Sequence, residues 1–210
     1  MIEIKDLELV INKSVILKNI NLSFEDGHIY GIVGRNGCGK TMLLRVICGF
    51  IRPTKGTVSI SGSSSKVSAV DSGQIGMIIE NPGFIPDRSG YANLKFLAGL
   101  RGEIKDDEIK EAIRMVGLDP DSKKKVGKYS LGMRQRLALA QAFMENQQIL
   151  CLDEPFNGLD EEGVATMREL LLRFKKEGRL IIIVSHSRED IDYLCDVKYH
   201  MSKGEIDDIL

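Results

Sequence analysis

The chain carries 29 Lys and Arg against 30 Asp and Glu in 210 residues, with 43% apolar and 28% charged side chains. That length holds one medium domain, or a core with a small appendage, and is long enough to bury a sizeable core. A net charge of −1 excludes a nucleic-acid binder that relies on a general basic field, leaving at most a local patch, and no apolar run approaches the roughly 20 residues that cross a bilayer.

Residues 2 to 25 read as two strands, in which Ile2 and Ile4, then Ile20, Leu22 and Phe24, alternate with polar neighbours. Asp26-Gly27 turns into an apolar strand, Ile29 to Val33. A helix over about Thr41 to Cys48 ends at Gly49, and Pro53 breaks the chain. Thr57 to Ile60 alternates like a half-buried strand, Ser61 to Gly73 is a Ser- and Gly-rich loop or irregular hairpin, and Ile75 to Ile79 is a short strand. From about Asn81 to Val126 the character changes. Tyr91 to Leu100 has helical apolar spacing, and Asp106 reads as the N-cap of a helix with Ile109, Ala112, Ile113 and Val116 on one face and Gly117 at its end. The Lys123-Lys124-Lys125 run reads as a solvated surface.

Strand and helix then alternate. Helices are expected at Gly132 to about Glu145, about Glu161 to Lys176, and Arg188 to Cys195, the last with Ser187 and Asp190 spaced as a capping box. Strands are expected at Ile149 to Leu152 and Leu180 to Val184, and a terminal hairpin turns at Lys203-Gly204. Continuous apolar strands between helices imply a parallel sheet covered on both faces. The fold class is therefore α/β, with the helical segment, placed at about 81–145, inserted between strands of one domain.

Three polar clusters each follow a buried strand. The first is Gly34-Arg35-Asn36-Gly37-Cys38-Gly39-Lys40-Thr41, a glycine loop between strand and helix. Its spacing is that of a phosphate-binding P-loop: backbone N–H groups turn inward on phosphate oxygens, the helix offers its positive end, Lys40 supplies an ammonium, and the Thr41 hydroxyl suits Mg²⁺. The second is Asp153-Glu154, a carboxylate to hold Mg²⁺ and one that can hold or deprotonate an attacking water. The third is Ser185-His186, whose imidazole can donate to a γ phosphate. In an open parallel sheet, ligands sit beyond the carboxyl ends of the strands, so all three clusters can share one rim. Ser130, N-capping the helix that begins just after it, offers a second anion site. One nucleotide does not need two such sites from one chain; a nucleotide sandwiched between two chains does.

The four cysteines, Cys38, Cys48, Cys151 and Cys195, show no metal-ligand spacing and no C-x-x-C. Cys48 and Cys151 read as core hydrophobes. Cys38, at a helix N-terminus, is expected to have a lowered pKa and to be open to alkylation.

With the P-loop, the segment around Ser130-Leu131-Gly132-Met133, the Ile149-to-Glu154 segment, Gly158-Leu159-Asp160 and His186, the chain resembles the ATP-binding cassette of ABC transporters over essentially its whole length. The resemblance implies P-loop NTPase architecture with a mainly parallel core sheet, an antiparallel β subdomain and a helical insertion. It implies ATP and Mg²⁺ as ligands, and two cassettes, identical or related, paired head to tail. In that arrangement Ser130 and Gly132 of one chain close over the γ phosphate held by the other, Asp160 belongs to the D-loop, and His186 is the switch histidine. A separate integral membrane permease would be the partner, with no nucleic acid, and the chain would sit in the cytoplasm at the inner face of the membrane. Met1-Ile2-Glu3-Ile4-Lys5, without a signal peptide's basic start and apolar centre, fits that expectation.

Three positions depart from the family pattern. The signature reads Tyr-Ser-Leu-Gly-Met where Leu-Ser-Gly-Gly-Gln is usual, so Leu131 and Met133 replace a glycine and a glutamine. Glu80 stands where a glutamine that can reach Mg²⁺ is usual. Ile11 stands where an aromatic residue usually stacks on adenine. The first two variants resemble the bacitracin and lantibiotic self-protection subgroup of bacterial exporters. A soluble ABC ATPase of cluster assembly, and a non-hydrolysing regulatory subunit, are the competing readings; Glu154 and His186 speak against the second.

Overall fold

The computed structural model describes residues 1–60, 73–80, 83–102 and 104–209. Most of the Ser- and Gly-rich stretch, 61–72, and Asn81 and Pro82, lie outside the described residues. Strands β1 (Ile2–Ile11) and β2 (Ser14–Phe24) pair antiparallel. The two residues between them, Asn12 and Lys13, have φ of 48° and 67°, as a type I′ hairpin turn requires. The strand expected at Thr57 to Ile60 is β4 (Lys55–Ile60), and it joins the other edge of β1, giving a three-stranded antiparallel sheet in the order β2-β1-β4.

The second sheet is built from β3 (Ile29–Val33), β5 (Ile75–Ile78), β6 (Ile149–Asp153), β7 (Leu180–Ser185), β8 (Val197–Ser202) and β9 (Glu205–Ile209). Their spatial order is β5-β6-β7-β3-β8-β9, parallel throughout except the terminal β8–β9 hairpin. Helix α1 (Lys40–Ile47) follows β3, and α2 (Gly90–Arg101), α3 (Asp106–Met115) and α4 (Leu131–Phe143) all fall between β5 and β6. Helices α5 (Glu161–Lys176) and α6 (Arg188–Leu194) flank β7 in sequence.

The period of two along each central strand divides the core in two. Ile181 and Ile183 of β7, with Leu150 and Leu152 of β6, pack toward the α2–α6 side; Leu180, Ile182 and Val184, with Ile149 and Cys151, pack toward β1, β2 and α1. All six residues of β7 are buried. Each such aliphatic side chain contributes about 1.5–3 kcal/mol relative to exposure, which anchors the strand whose end carries Ser185 and His186. Helix α6 crosses β3 at Gly31, where a Cβ would come within 2.8 Å of Ile191 and Cys195 side-chain atoms.

Two caps differ from expectation. The N-cap of α3 is Lys105, and Asp106 is the first helical residue. Glu108 Oε2 accepts the Lys105 N–H at 2.9 Å, while Asp106 is drawn to Lys95 Nζ at 2.8 Å. At α6, Ser187 Oγ accepts the Asp190 N–H, but the Asp190 carboxylate is taken by Arg168 of α5 at 2.6 Å rather than by the Ser187 amide, which donates to Ser185 Oγ. The reciprocal half of the capping box is lost to a stronger charged partner.

Candidate functional site

Adjacent parallel strands β6, β7 and β3 end on the same rim, which brings Asp153-Glu154, Ser185-His186 and the glycine loop together. The loop runs from Gly34 to Gly39 between β3 and α1. Gly37 has φ 79° and Gly39 φ 115°, both in the left-handed half of the map that side chains avoid. A Cβ at Gly39 would also lie 2.8 Å from Met201 Cε and 3.3 Å from the Ile16 carbonyl. Gly39 is the N-cap of α1, and no side chain caps that helix, so its first N–H groups remain as donors for an anion. Lys40 is buried and donates from Nζ to the carbonyls of Gly34 at 2.7 Å and Arg35 at 3.2 Å. Two of its three donors are thus aimed along the loop, and the ammonium lies against the cradle.

Thr41 Oγ1 donates to Asp153 Oδ2 at 2.7 Å. Burial raises the Asp153 carboxyl above the usual range; the Thr41 hydroxyl opposes this, Glu154 adds to it, Lys40 opposes it and Glu80 adds to it. A partly desolvated carboxylate beside a hydroxyl, with further carboxylates nearby, suits a divalent cation. Among the described residues no group of three or more His, Cys, Asp or Glu forms a closed metal cage. The donor set fits Mg²⁺, which takes one or two protein oxygens and fills its remaining positions with phosphate and water.

Glu154 has φ 49°, a strained value for a residue with a side chain. Every polar group on it is engaged. Its N–H donates to the Val184 carbonyl at 2.8 Å, its carbonyl accepts both Gln135 Nε2 and the Asn157 N–H at 3.2 Å, and its Oε2 accepts Ser185 Oγ at 3.2 Å. Oε1 accepts both the His186 N–H at 3.0 Å and His186 Nδ1 at 2.8 Å. The two sequence-nominated catalytic groups therefore contact each other. His186 is 60% exposed. With Nδ1–H given to Glu154, donation from Nε2 to a phosphate oxygen takes the doubly protonated ring.

A cavity of about 480 Å³ opens over the loop, lined among others by Asn36, Lys40, Thr41, Asp153 and Glu154. Its apolar wall is Ile16 and Met42; Ile11 is not on it, and packs partly buried against the core of β1, β2 and α1. Ile16 was not singled out in the sequence, where nothing separates it from other strand isoleucines. Cys38 is buried, so the expected alkylation site is covered. Burial and a thiol–thiol contact with Cys48 hold Cys151 protonated, the contact being the larger cause. Arg35 and Cys38 line a second depression with His200 and Lys203.

The remaining nominated residues lie elsewhere. Ser130 is the N-cap of α4, its Oγ accepting the Met133 N–H at 3.2 Å. Gly132 allows the Gly158 carbonyl to approach so closely that a Cβ would sit 2.6 Å from it. Leu131 is 50% exposed. Asp160 N-caps α5, accepting the Gly163 N–H at 3.0 Å, a bond that with Arg136 Nη2 at 3.1 Å holds its carboxyl below the usual range. Glu80 is paired with Arg45 of α1 at 2.7 Å; neither Arg45 nor Gln135 was nominated from sequence. Among the described residues no helix is long and apolar enough to cross a membrane.

Comparison with known proteins agrees with this layout. A family profile described as "ABC transporter" matches residues 17–157. The chain is 44% identical over 207 residues to the uncharacterized ABC transporter ATP-binding protein YybJ of Bacillus subtilis, covering 99% of this chain and 95% of that one. It is 38% identical to the bacitracin transport ATP-binding protein BcrA of Enterococcus faecalis, over 98% of this chain and 68% of the relative. It is 34% identical to the lantibiotic transport ATP-binding protein SrtF of Streptococcus pyogenes, over 98% and 89%. Among solved structures, the dimeric bacterial ABC transporter cassette MJ0796 superposes with a TM-score of 0.89 at 23% identity, covering 100% of this chain and 98% of that one.

Proposed function

The chain belongs to the ABC transporter family as an ATP-binding subunit, and on that premise we propose that it hydrolyses MgATP to drive export of a peptide antibiotic or drug through a separate membrane permease. The convergence of Lys40, Thr41, Asp153, Glu154 and His186 at the ends of three adjacent strands carries the reading. The relatives named for bacitracin and lantibiotic transport support the class of cargo.

Lys40 and the loop N–H groups hold the β and γ phosphates, and Ile16, on the cavity wall, offers apolar contact to the nucleoside. Thr41 and Asp153, with Glu80 close enough to perturb Asp153, hold Mg²⁺, which when bound supplies positive charge to the phosphate oxygens. Glu154 accepts a proton from water as the water oxygen bonds to the γ phosphorus. The bond from that phosphorus to the bridging oxygen breaks, leaving ADP and inorganic phosphate. His186, gripped by the same carboxylate, orients it and donates to the departing phosphoryl group. Two chains pair head to tail, so that Ser130 and Gly132 of one close over the γ phosphate of the other and Asp160 lies at the contact. The helical subdomain, about 81–145, and Glu80 pass the motion to the permease at the cytoplasmic face of the membrane.

Phosphate release from the purified chain tests this. Glu154→Gln is expected to bind ATP while turnover falls at least about a hundredfold, the scale of a lost general base, and chelating Mg²⁺ is expected to stop the wild type. Near-normal release by that variant, or release indifferent to chelation, would overturn the assignment.

A further inference from the structure

We propose that Gln135 is a positioning residue for hydrolysis, tying the start of α4 to the backbone of Glu154 so that engagement of Ser130 is felt at the base in the same chain. The proposal rests on the reading of Glu154 as that base. Gln135 is a buried amide on α4, and its Nε2 donates to the Glu154 carbonyl at 3.2 Å. A left-handed glutamate is held from outside or it relaxes; here Val184 holds the N–H, while the carbonyl accepts both the Asn157 N–H of the following turn and Gln135 Nε2, each at 3.2 Å, so that Gln135 is the side chain that ties this turn to α4. If the turn after Glu154 shifts and φ relaxes, the carboxylate is carried away from Ser185 and His186.

The same turn of α4 grips the rest of the segment. Arg136 pairs with Asp160. Leu131 lies over Gly158, where a Cβ would come within 2.5 Å of its side chain, and Gly132 admits the Gly158 carbonyl. Residues 131 to 136 of α4 thus hold 154 to 160 at several points. Ser130, the N-cap, lies five residues from Gln135, about 7.5 Å along the helix axis. A helix this short moves as a unit, so a displacement at Ser130 reaches Gln135 and the carbonyl it holds.

Gln135→Met keeps the volume and removes the donor; Gln135→His returns a ring N–H at similar reach. In the full chain with MgATP, Gln135→Met is expected to lower kcat about tenfold, equivalent to about 1.4 kcal/mol at the barrier, with KM changed less than about twofold. Gln135→His is expected to recover to within about threefold of wild type. Ser130→Ala combined with Gln135→Met is expected to lose less than the product of the single losses. Should Gln135→Met fail to fold, Gln135→Asn, whose amide is one methylene too short, must show the same kcat loss. A wild-type rate in the donor-less variants, a KM that rises in step with the loss, or a histidine variant no better than methionine overturns the proposal while Glu154→Gln is inactive. A near-normal rate in Glu154→Gln overturns the base assignment and this proposal with it.

Discussion

Replacing Thr41 by Val keeps the side chain's shape and removes one hydroxyl, the one that donates to Asp153 Oδ2 at 2.7 Å. A hydrogen bond to a charged group contributes about 1.5–3 kcal/mol. Both residues are half-buried, so water replaces the lost donor only in part. The expected loss of stability at pH 7 lies within that range, or about 3–12 °C in melting temperature for a chain of this size. The pH dependence is distinctive. The hydroxyl lowers an Asp153 carboxyl that burial has raised, so its contribution requires ionised Asp153. It is present above the folded-state pKa and disappears as pH falls through that value. Chemical denaturation without nucleotide, at a series of pH values from 7 downward, reads the gap between wild type and variant free of ligand linkage. A gap that closes toward acid pH is expected. Equal stability at pH 7, or a gap that stays constant into acid, refutes the pairing.

Other outcomes follow from the same geometry. Because the net shift of Asp153 is upward, its ionisation works against folding from its unfolded pKa upward; Asp153→Asn is expected to be more stable than wild type at pH 7 while losing MgATPase activity. Denaturation curves check this, and a less stable variant contradicts it. Glu80→Gln breaks an exposed ion pair with Arg45 that contributes at most about 1 kcal/mol. Equilibrium binding is expected to find ATP affinity within a few-fold and the change confined to turnover; abolished binding counts against it. Burial pushes the Cys195 thiol up to about 12, and Cys38, Cys48 and Cys151 are buried. Mass spectrometry after iodoacetamide at pH 8 is expected to find the native chain largely unlabelled and the denatured chain fully labelled. Rapid native labelling at Cys38 would contradict its burial in the loop.

The elements were legible where side-chain pattern alone decides them. Leu180 to Val184 could only be a strand buried on both faces, and Glu161 to Lys176 is the helix observed. Strand order was not legible, because pairing of β3 between β7 and β8 depends on crossovers that no local pattern encodes. The phosphate loop is legible in its glycine and Lys-Thr spacing, and Asp153, Glu154 and His186 in their places after apolar strands. Ile16, Arg45 and Gln135 are not legible there, because only tertiary proximity brings each to this region: an isoleucine among strand isoleucines, an arginine on a helix face, a glutamine one turn into α4. Asp106 and Asp190 were misread as capping groups for a related reason. Both have the right residue type at the right spacing, but Lys95 and Arg168, distant in sequence, compete for their carboxylates.

The central claim is that one triphosphate is gripped by the glycine loop of one chain and by the Ser130-capped helix of another. Sedimentation of Glu154→Gln with and without MgATP tests it most directly. The account requires twice the monomer mass with nucleotide, the monomer mass without it, and a measurably weaker dimer when Ser130→Ala is added. A chain that binds MgATP and stays monomeric, or dimerises equally without it, contradicts the account.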